Sequence, residues 1–245
     1  MNPCLLIPIY DHGETIGEVV ESLATLDLPC LIVDDGSGPE TRRELERIAA
    51  ERAWVSVQRR DRNGGRGVAL RTGYRLAASR GYTHVVQLDA DAQHDARDVP
   101  RLLEAAQKDP GALVLGRPIF DGSAPALRMF GRKFSQGLVW LETLSFAIED
   151  PLCGFRCFPL APTLRLLDTN PLGDRMDFDP ELAVRLYWQG VPIVSVPTRV
   201  RYHADGLSHF APWYDSWLIA QAHARLVAGM LPRSPELLTR RGGRT

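Results

Sequence analysis

The chain has 245 residues, of which 44% are hydrophobic and 24% charged, and its formal net charge is −1. This balance is ordinary for a globular enzyme and excludes the strongly basic character of a general nucleic-acid-binding protein. No apolar run reaches the roughly 18 uncharged residues that a membrane-spanning helix needs. The length allows one large α/β domain or two small ones.

The four cysteines, Cys4, Cys30, Cys153 and Cys157, show neither zinc-ligand nor redox spacing. Cys4 and Cys30 lie in apolar runs and are interpreted as small core residues. This usage is typical of a reducing compartment, and the first residues lack the pattern of a signal peptide. A cytoplasmic location is therefore predicted.

The first half of the chain alternates short apolar runs with segments of helical periodicity. The apolar runs predict five strands, at Cys4 to Ile9, Cys30 to Val33, Trp54 to Val57, His84 to Leu88 and Ala112 to Leu115. Helices are predicted between them, at Ile16 to Leu23, Pro39 to Ile48, Arg66 to Arg80 and from near Val99. Repeated strand–helix units predict a mostly parallel sheet with helices on both faces.

The second half is less regular. It contains a predicted helix, a short strand, another helix and two strand-like runs, at Ala126 to Ile148, Gly154 to Phe158, Asp179 to Gln189, Val191 to Val196 and Thr198 to Tyr202. Pro192 and Pro197 are interpreted as strand edges. Residues 240–245 are predicted to be disordered.

Two carboxylates, Asp89 and Asp91, follow the fourth predicted strand at the point where it stops. Residues two apart on an extended backbone point the same way, so both side chains should converge at the carboxyl edge of the sheet. Close carboxylates repel unless a cation or proton lies between them, and oxygen ligands favour Mg²⁺ or Mn²⁺. The alternative interpretation is a solvated Asp turn or a helix cap.

Two more loops fall at the same predicted edge. Asp34 and Asp35 end the second strand, where they would accept hydrogen bonds from a base or ribose, or form a capping turn only. The run 63–67, Asn-Gly-Gly-Arg-Gly, precedes the third helix, where glycines allow a ligand close to the backbone and a helix N-terminus favours anions. Each loop alone is a weak signal, but three on one edge favour a ligand site.

These motifs together resemble an inverting, family-2 glycosyltransferase with a GT-A fold, most closely the dolichol-phosphate and polyprenyl-phosphate sugar synthases. The resemblance lies in short motifs in a fixed order, at residues 7–10, 33–37, 63–69, 88–94, 150–156, 178–182 and 196–208. It implies one domain over residues 1–235 and a tail at 236–245. A Rossmann-like nucleotide-sugar-binding half would cover 1–118 and an acceptor half 119–235.

The resemblance also implies a role for individual residues. The nucleotide sugar would be bound by Pro8, Tyr10, Asp34, Asp35, Gly65, Arg66 and Asp89. A divalent ion, Mg²⁺ or Mn²⁺, would be held by Asp89, Asp91 and Gln93, with Asp91 acting in catalysis. A lipid-linked acceptor, either a polyprenyl phosphate or a glycolipid, would be bound by Arg132, Ser135, Arg156, Arg201 and His203. The family's usual lysine is replaced by Arg66, and either cation can face a diphosphate.

The chain departs from the family pattern at three places. His12 stands where many members carry Glu, and the run Gly116-Arg117-Pro118 stands where members have Gly-Ser-Arg. His203 takes the place of an arginine before the late glycine, with Arg201 nearby.

Asp179 has two interpretations that are compatible with each other. In members that glycosylate hydroxyls, an Asp near this place is the general base, because a hydroxyl must lose a proton as it attacks. A lipid phosphate is already ionised and needs no base. Alternatively, Asp179, which precedes Pro180, is only the N-cap of its helix.

The segment from Trp213 to Leu231 is apolar on much of its circumference. It would either lie on a membrane surface, making the enzyme peripheral, or pack on the core or in a homo-oligomer contact. Two other classes compete with a glycosyltransferase. A nucleotidyltransferase would carry a basic, glycine-rich loop after the first strand, whereas residues 10–14 are acidic with one glycine. A non-catalytic nucleotide-sugar-binding protein would not need Asp89, Asp91 and Gln93.

Overall fold

The computed structural model describes residues 1–120, 126–200 and 211–241. One mixed sheet forms the centre of the protein, and its strands are ordered β3-β2-β1-β4-β6-β5-β7. The strands are β1 Pro3–Ile9, β2 Cys30–Asp34, β3 Val55–Arg59, β4 His84–Gln87, β5 Leu113–Phe120, β6 Arg156–Pro159 and β7 Ile193–Val200. The helices are α1 Gly13–Leu23, α2 Pro39–Glu51, α3 Arg66–Ser79, α4 Val99–Lys108, α5 Ala126–Thr143, α6 Leu160–Thr169, α7 Phe178–Trp188, α8 Pro212–Met230 and α9 Ser234–Arg241.

Strands β3, β2, β1 and β4 are mutually parallel, and β5 is parallel to β7. This confirms the prediction of a mostly parallel α/β sheet. Because β1 lies between β2 and β4, the loops after these strands open on either side of one crevice. Open α/β sheets bind ligands at such a reversal of strand order, outside the carboxyl ends of the strands.

The short strand β6 runs antiparallel to both β4 and β5, which the sequence did not predict. Its register places Arg156 opposite Gln87. The consequence is that the loop before β6 arrives beside the carboxyl end of β4. Residues from the second half of the chain thereby reach the loop that carries Asp89.

The last strand differs from the prediction of two runs separated by a proline. Ile193–Val200 forms one continuous strand through Pro197. This is possible because β7 is the edge of the sheet, where a residue without a backbone N–H is tolerated. Helix α6 was not predicted. The predicted tail is helical up to Arg241, with Leu237 buried, so the domain boundary predicted at 235 falls inside α9.

Two apolar clusters cover the two faces of the sheet. Cys4 and Cys30 are buried, in agreement with their interpretation as core residues, and Cys153 and Cys157 are buried and free as well. Helix α8 packs Leu226 and Met230 into the core. Within the described residues, no helix has both the length and the apolar character needed to cross a bilayer.

Candidate functional site

Asp89 lies two residues beyond β4, at the carboxyl edge of the sheet. Its Oδ1 atom is 2.6 Å from Nη1 of Arg66, and its Oδ2 atom is 3.4 Å from Nε2 of His94. The Oδ1 atom is buried and has no well-directed hydrogen bond, so its contact with Arg66 is chiefly one of charge. Burial opposes ionisation of this carboxyl, but the charges of Arg66 and His94 prevail and hold the pKa of Asp89 below its usual range.

Asp91 and Asp89 interact through their charges, although residues 90 and 91 form a turn and not the extended chain that was expected. Burial raises the pKa of Asp91, and repulsion from Asp89 adds to this effect, while His94 and His12 oppose it. The Oδ1 atom of Asp91 accepts a hydrogen bond of 3.1 Å from the backbone N–H of Gln93. Of the two carboxyls, Asp89 is therefore held ionised beside Arg66, whereas Asp91 ionises less readily.

The turn after Asp91 has an unusual backbone. Ala92 has a φ of 58°, in the left-handed region that residues with a Cβ rarely adopt. Such strain is found where a loop must hold a fixed shape. Here it turns the chain sharply between Asp91 and Gln93, both predicted metal ligands.

Arg66 connects two carboxylates that are far apart in the sequence. It is the first residue of α3, directly after Gly65, whose φ of 97° requires a glycine. Besides its contact with Asp89, Arg66 donates from Nε to Oδ2 of Asp179 at 2.6 Å. Its burial disfavours the charge, yet the two carboxylates raise the pKa of Arg66 further.

Asp179 is not the N-cap of α7, which corrects one of its two predicted roles. The helix begins at Phe178 and its N-cap is Asp177. The carboxylate of Asp179 points instead toward Arg66, and its Oδ1 atom accepts a hydrogen bond of 3.2 Å from Nε2 of Gln87. Asp179 is therefore a buried, fully engaged carboxylate at the ligand edge of the sheet.

Gln87 is a buried polar residue at the end of strand β4, and sequence reasoning missed its role. Its side chain is fully buried and accepts a hydrogen bond of 2.5 Å from Oη of Tyr74. It donates to the carbonyl of Gly154 at 3.0 Å as well as to Asp179. The signal was present, because an amide inside a buried strand needs partners of its own.

Asp34 and Asp35 lie at the same edge but are engaged within the protein. Asp34 forms an ion pair with Arg59 and accepts the N–H of Ser37 at 2.8 Å. Asp35 forms an ion pair with Arg60 and accepts the N–H of Gly65 at 2.7 Å. Burial raises the pKa of Asp35 despite these partners. The two carboxylates thus join the loop after β2 to β3 and to the glycine loop before α3.

The remaining residues predicted to bind the nucleotide, Pro8 and Tyr10, lie at the end of β1 on the same edge of the sheet. Pro8 lies near the end of β1, opposite Val33. Tyr10 and Asp11 follow β1, and Asp11, with a φ of 50°, accepts the N–H of Gly38 at 2.7 Å.

The predicted acceptor residues are placed differently from one another. Arg132, on α5, binds both oxygens of Asp150 at 2.5 Å, which ties α5 to the loop before β6. Ser135 is buried on the same helix. Arg201 and His203 lie outside the described residues. Arg117, whose family counterpart follows a serine, faces Glu149 at 3.2 Å.

The prediction that Arg156 binds an acceptor is wrong, because its side chain is enclosed within the protein. Its side chain is 0% exposed and donates to three backbone carbonyls. The acceptors are the carbonyls of Cys153 at 2.7 Å, Asp179 at 2.9 Å and Pro151 at 2.5 Å. A guanidinium enclosed in this way holds the loop before β6 against α7 and has no surface to offer a substrate.

Within residues 1–120, 126–200 and 211–241, no cluster of three or more His, Cys, Asp or Glu side chains has the arrangement of a complete metal site. The strand-end pair Asp89 and Asp91 supplies two carboxylates at the ligand edge of the sheet. Two carboxylates suit Mg²⁺ or Mn²⁺ when the remaining ligands are water and substrate phosphates.

Comparisons with known proteins agree with the fold and the motifs. The family model described as glycosyl transferase family 2 matches residues 4–173. The undecaprenyl-phosphate mannosyltransferase of Micrococcus luteus is 30% identical over 205 residues, covering 80% of this chain and 82% of that protein. The polyprenol monophosphomannose synthase of Mycolicibacterium smegmatis is 29% identical over 217 residues, covering 83% and 79%.

A solved structure shares the fold. The mannosyltransferase PcManGT from Pyrobaculum calidifontis, in complex with GDP-Man and Mn²⁺, superposes with a TM-score of 0.61 at 18% identity. The match covers 100% of this chain and 76% of the other. At this level of identity the likeness shows the GT-A type of fold alone.

Proposed function

The chain belongs to glycosyl transferase family 2 and is a glycosyltransferase, and from that premise we propose that it transfers a sugar from a nucleoside-diphosphate sugar to a polyprenyl phosphate, with inversion and with a divalent metal ion. The observation that carries the proposal is the carboxylate pair Asp89 and Asp91 at the strand-order reversal. Named relatives that act on undecaprenyl phosphate and polyprenol support the acceptor class.

The residues at the strand end fit a divalent cation. The buried Oδ1 atom of Asp89 has no directed hydrogen bond, and burial together with repulsion from Asp89 raises the pKa of Asp91. Gly154 leaves room there, since a Cβ on it would fall 2.3 Å from Oδ2 of Asp89. Asp89 and Asp91 would hold the ion, with Gln93 beside them. When bound, the ion would neutralise the developing charge of the diphosphate leaving group.

Inverting transfer requires the acceptor to attack the anomeric carbon opposite the diphosphate. A phosphate oxygen of the acceptor forms the new bond to that carbon, and the sugar–diphosphate bond breaks with its electron pair leaving on the nucleoside diphosphate. The guanidinium of Arg66, which lies against Asp89, stabilises the departing charge. No proton has to be removed, because a lipid phosphate attacks in its ionised form.

The environment of Asp179 favours a phosphate acceptor over a hydroxyl. A general base needs a free carboxylate oxygen, whereas both oxygens of Asp179 are bonded, to Arg66 and Gln87. In this account Asp179 orients Arg66 and takes no proton. Arg132 and Ser135 on α5, with Arg201 and His203, are proposed to line the acceptor side.

We further propose that the enzyme contacts the membrane that holds its acceptor. The first turns of α8 expose Trp213 by 92% and Trp217 by 57%. Tryptophan is the side chain preferred at membrane interfaces, where an apolar ring and a polar N–H are both accommodated. The opposite side of α8 is fixed to the core through Leu226, so the exposed rings would be held outward.

Calorimetric titration with UDP and GDP tests the donor site. With Mn²⁺ or Mg²⁺ present, one of the nucleotides should bind, and EDTA should abolish the binding. Asp91→Ala should weaken metal-dependent binding strongly, while the control Asp168→Ala, an exposed surface carboxylate, should leave it unchanged. Equal affinity with metal and with EDTA, or unaltered binding by Asp91→Ala, would overturn the proposed metal site.

A further inference from the structure

Arg66 occupies the position of a counter-ion inside the proposed metal site. It is the residue through which Asp89 of the β4 loop and Asp179 of α7 are joined, although 113 positions separate Arg66 from Asp179 in the sequence. Its side chain is only 17% exposed, so this arrangement is built into the fold and is not a loose surface pair.

The two ends of the guanidinium are held unequally. Nε makes a directed hydrogen bond of 2.6 Å to Asp179, and Gln87 holds the other oxygen of that carboxylate at 3.2 Å. Nη1 is equally close to Oδ1 of Asp89, but that oxygen has no well-directed hydrogen bond. At the second end charge attraction outweighs hydrogen bonding, and another cation can replace an attraction of this kind.

We infer that Arg66 is a resident cation with one fixed end and one exchangeable end. Asp89 exchanges Nη1 of Arg66 for the divalent cation, while Nε stays bound to Asp179. The released Nη1 is then directed toward the donor diphosphate, which it can bind as a fork. This inference rests on the proposed function and assigns to Asp179 a positioning role for Arg66.

The surroundings of Arg66 fit a movement confined to its outer end. Gly154 lies against both partners, since a Cβ there would fall 2.7 Å from Nη2 of Arg66. Any larger residue would collide with the guanidinium and remove the space for exchange. Asp179 is in turn fixed by Arg156, because the backbone carbonyl of Asp179 accepts a hydrogen bond of 2.9 Å from Nη1 of Arg156.

Mn²⁺ affinity, measured calorimetrically without nucleotide, tests the exchange. Arg66→Gln removes the competing cation, so Mn²⁺ should bind more tightly by about tenfold or more, the scale on which a neighbouring charge shifts a proton affinity. The same variant should bind the nucleoside diphosphate more weakly when Mn²⁺ is saturating. A merely structural role of Arg66 would lower both affinities together.

The control Arg71→Gln lies on the same helix and removes an arginine that is ion-paired with Asp174. It should change neither affinity. The melting temperature of each variant shows whether it is folded before its affinities are compared.

A double-mutant cycle separates exchange from simple electrostatics. Asp179→Asn keeps the shape of the side chain but loosens the fixed end, so Arg66 should bind Asp89 more firmly and Mn²⁺ affinity should fall. In the Arg66→Gln background the same change should alter Mn²⁺ affinity by less than about twofold. An equal effect of Asp179→Asn in both backgrounds would show a direct charge effect and overturn the inference. The single variant Asp179→Asn also tests the exchange in a chain that retains Arg66.

Failure of the inference and failure of the proposed function look different. If the wild type binds Mn²⁺ and Arg66→Gln binds it no more tightly, the metal site stands and the exchange is wrong. If no variant binds Mn²⁺ with or without nucleotide, the proposed metal site is wrong and the exchange falls with it.

Discussion

Gly154 lies directly against the carboxylate of Asp89: a Cβ on Gly154 would fall 2.3 Å from Oδ2 of Asp89. The backbone of the loop before β6 thereby closes one side of the strand-end site. Only a residue without a side chain permits this approach. Two segments more than 60 residues apart are brought into contact by the reversed strand β6.

Gly154→Ala should therefore displace Asp89 and Arg66. We expect a loss of stability of about 1–3 kcal/mol from overpacking, and a larger loss of metal-dependent nucleotide binding. Chemical unfolding and calorimetry measure the two effects. The matched control is Gly137→Ala on α5, where a Cβ would meet nothing within 4 Å, and it should stabilise the helix slightly. Equal behaviour of the two variants would contradict the close approach.

Arg156→Met tests whether Arg156 is structural. The variant leaves three buried carbonyls without a donor, so we expect it to lower the free energy of unfolding by about 3–5 kcal/mol. The Michaelis constant for the acceptor, measured on protein that remains folded, should be unchanged. A stable variant with a strongly raised Michaelis constant would restore the acceptor role predicted from the sequence.

Stability should depend on pH through Glu142, on α5. Burial raises the pKa of Glu142, and the charge of Glu181 adds to this, while its partner His223 on α8 opposes it. Because the folded state favours the protonated carboxyl, its stabilising contribution is complete at low pH and is lost as the pH rises through the raised pKa.

Glu142→Gln is neutral at every pH and keeps an acceptor for His223. The difference in free energy of unfolding, variant minus wild type, should therefore become more positive as the pH rises from about 4 to about 8. Denaturant titrations across this range measure the difference. Glu18→Gln, at an exposed position of α1, should run parallel to the wild type. If this difference instead became smaller with rising pH, the pair with His223 would outweigh the effect of burial on Glu142.

Trp213→Ala/Trp217→Ala should leave the fold intact and weaken membrane attachment. Each exposed ring would contribute roughly 25 cal/mol per Å² of apolar area buried in the interface. Flotation with anionic liposomes compares this variant with the wild type and with Leu238→Ala, an exposed apolar position on α9. If the wild type does not float, the proposed membrane contact is wrong. If the double variant converts a dimer into a monomer, the exposed face instead binds another copy of the chain.

The strand-end carboxylates show what local pattern predicts well. Asp89 and Asp91 follow an apolar run, which places both just beyond the end of β4. The expected extended backbone between them is instead a turn at residues 90 and 91. The glycine loop before Arg66 was equally visible, because Gly65 must adopt a positive φ. Such features depend on neighbours within about ten residues, which the sequence displays directly.

The partners of these residues depend on tertiary packing and were not predictable. Arg66 meets Asp179 only because α7 packs beside α3, across 113 positions. Arg156 has the residue type of a ligand contact, and only the reversed pairing of β6 shows that it is enclosed. The polar residue Gln87 was the readable clue, since a buried amide implies partners nearby.

The most direct test of the account is a transfer assay with labelled UDP- and GDP-sugars, a polyprenyl phosphate and Mn²⁺. We predict an organic-soluble glycolipid with an inverted anomeric centre, formed together with one equivalent of nucleoside diphosphate and abolished by EDTA. Equal transfer in EDTA would contradict metal dependence. Release of pyrophosphate from a nucleoside triphosphate, with no lipid product from any donor, would contradict the central claim.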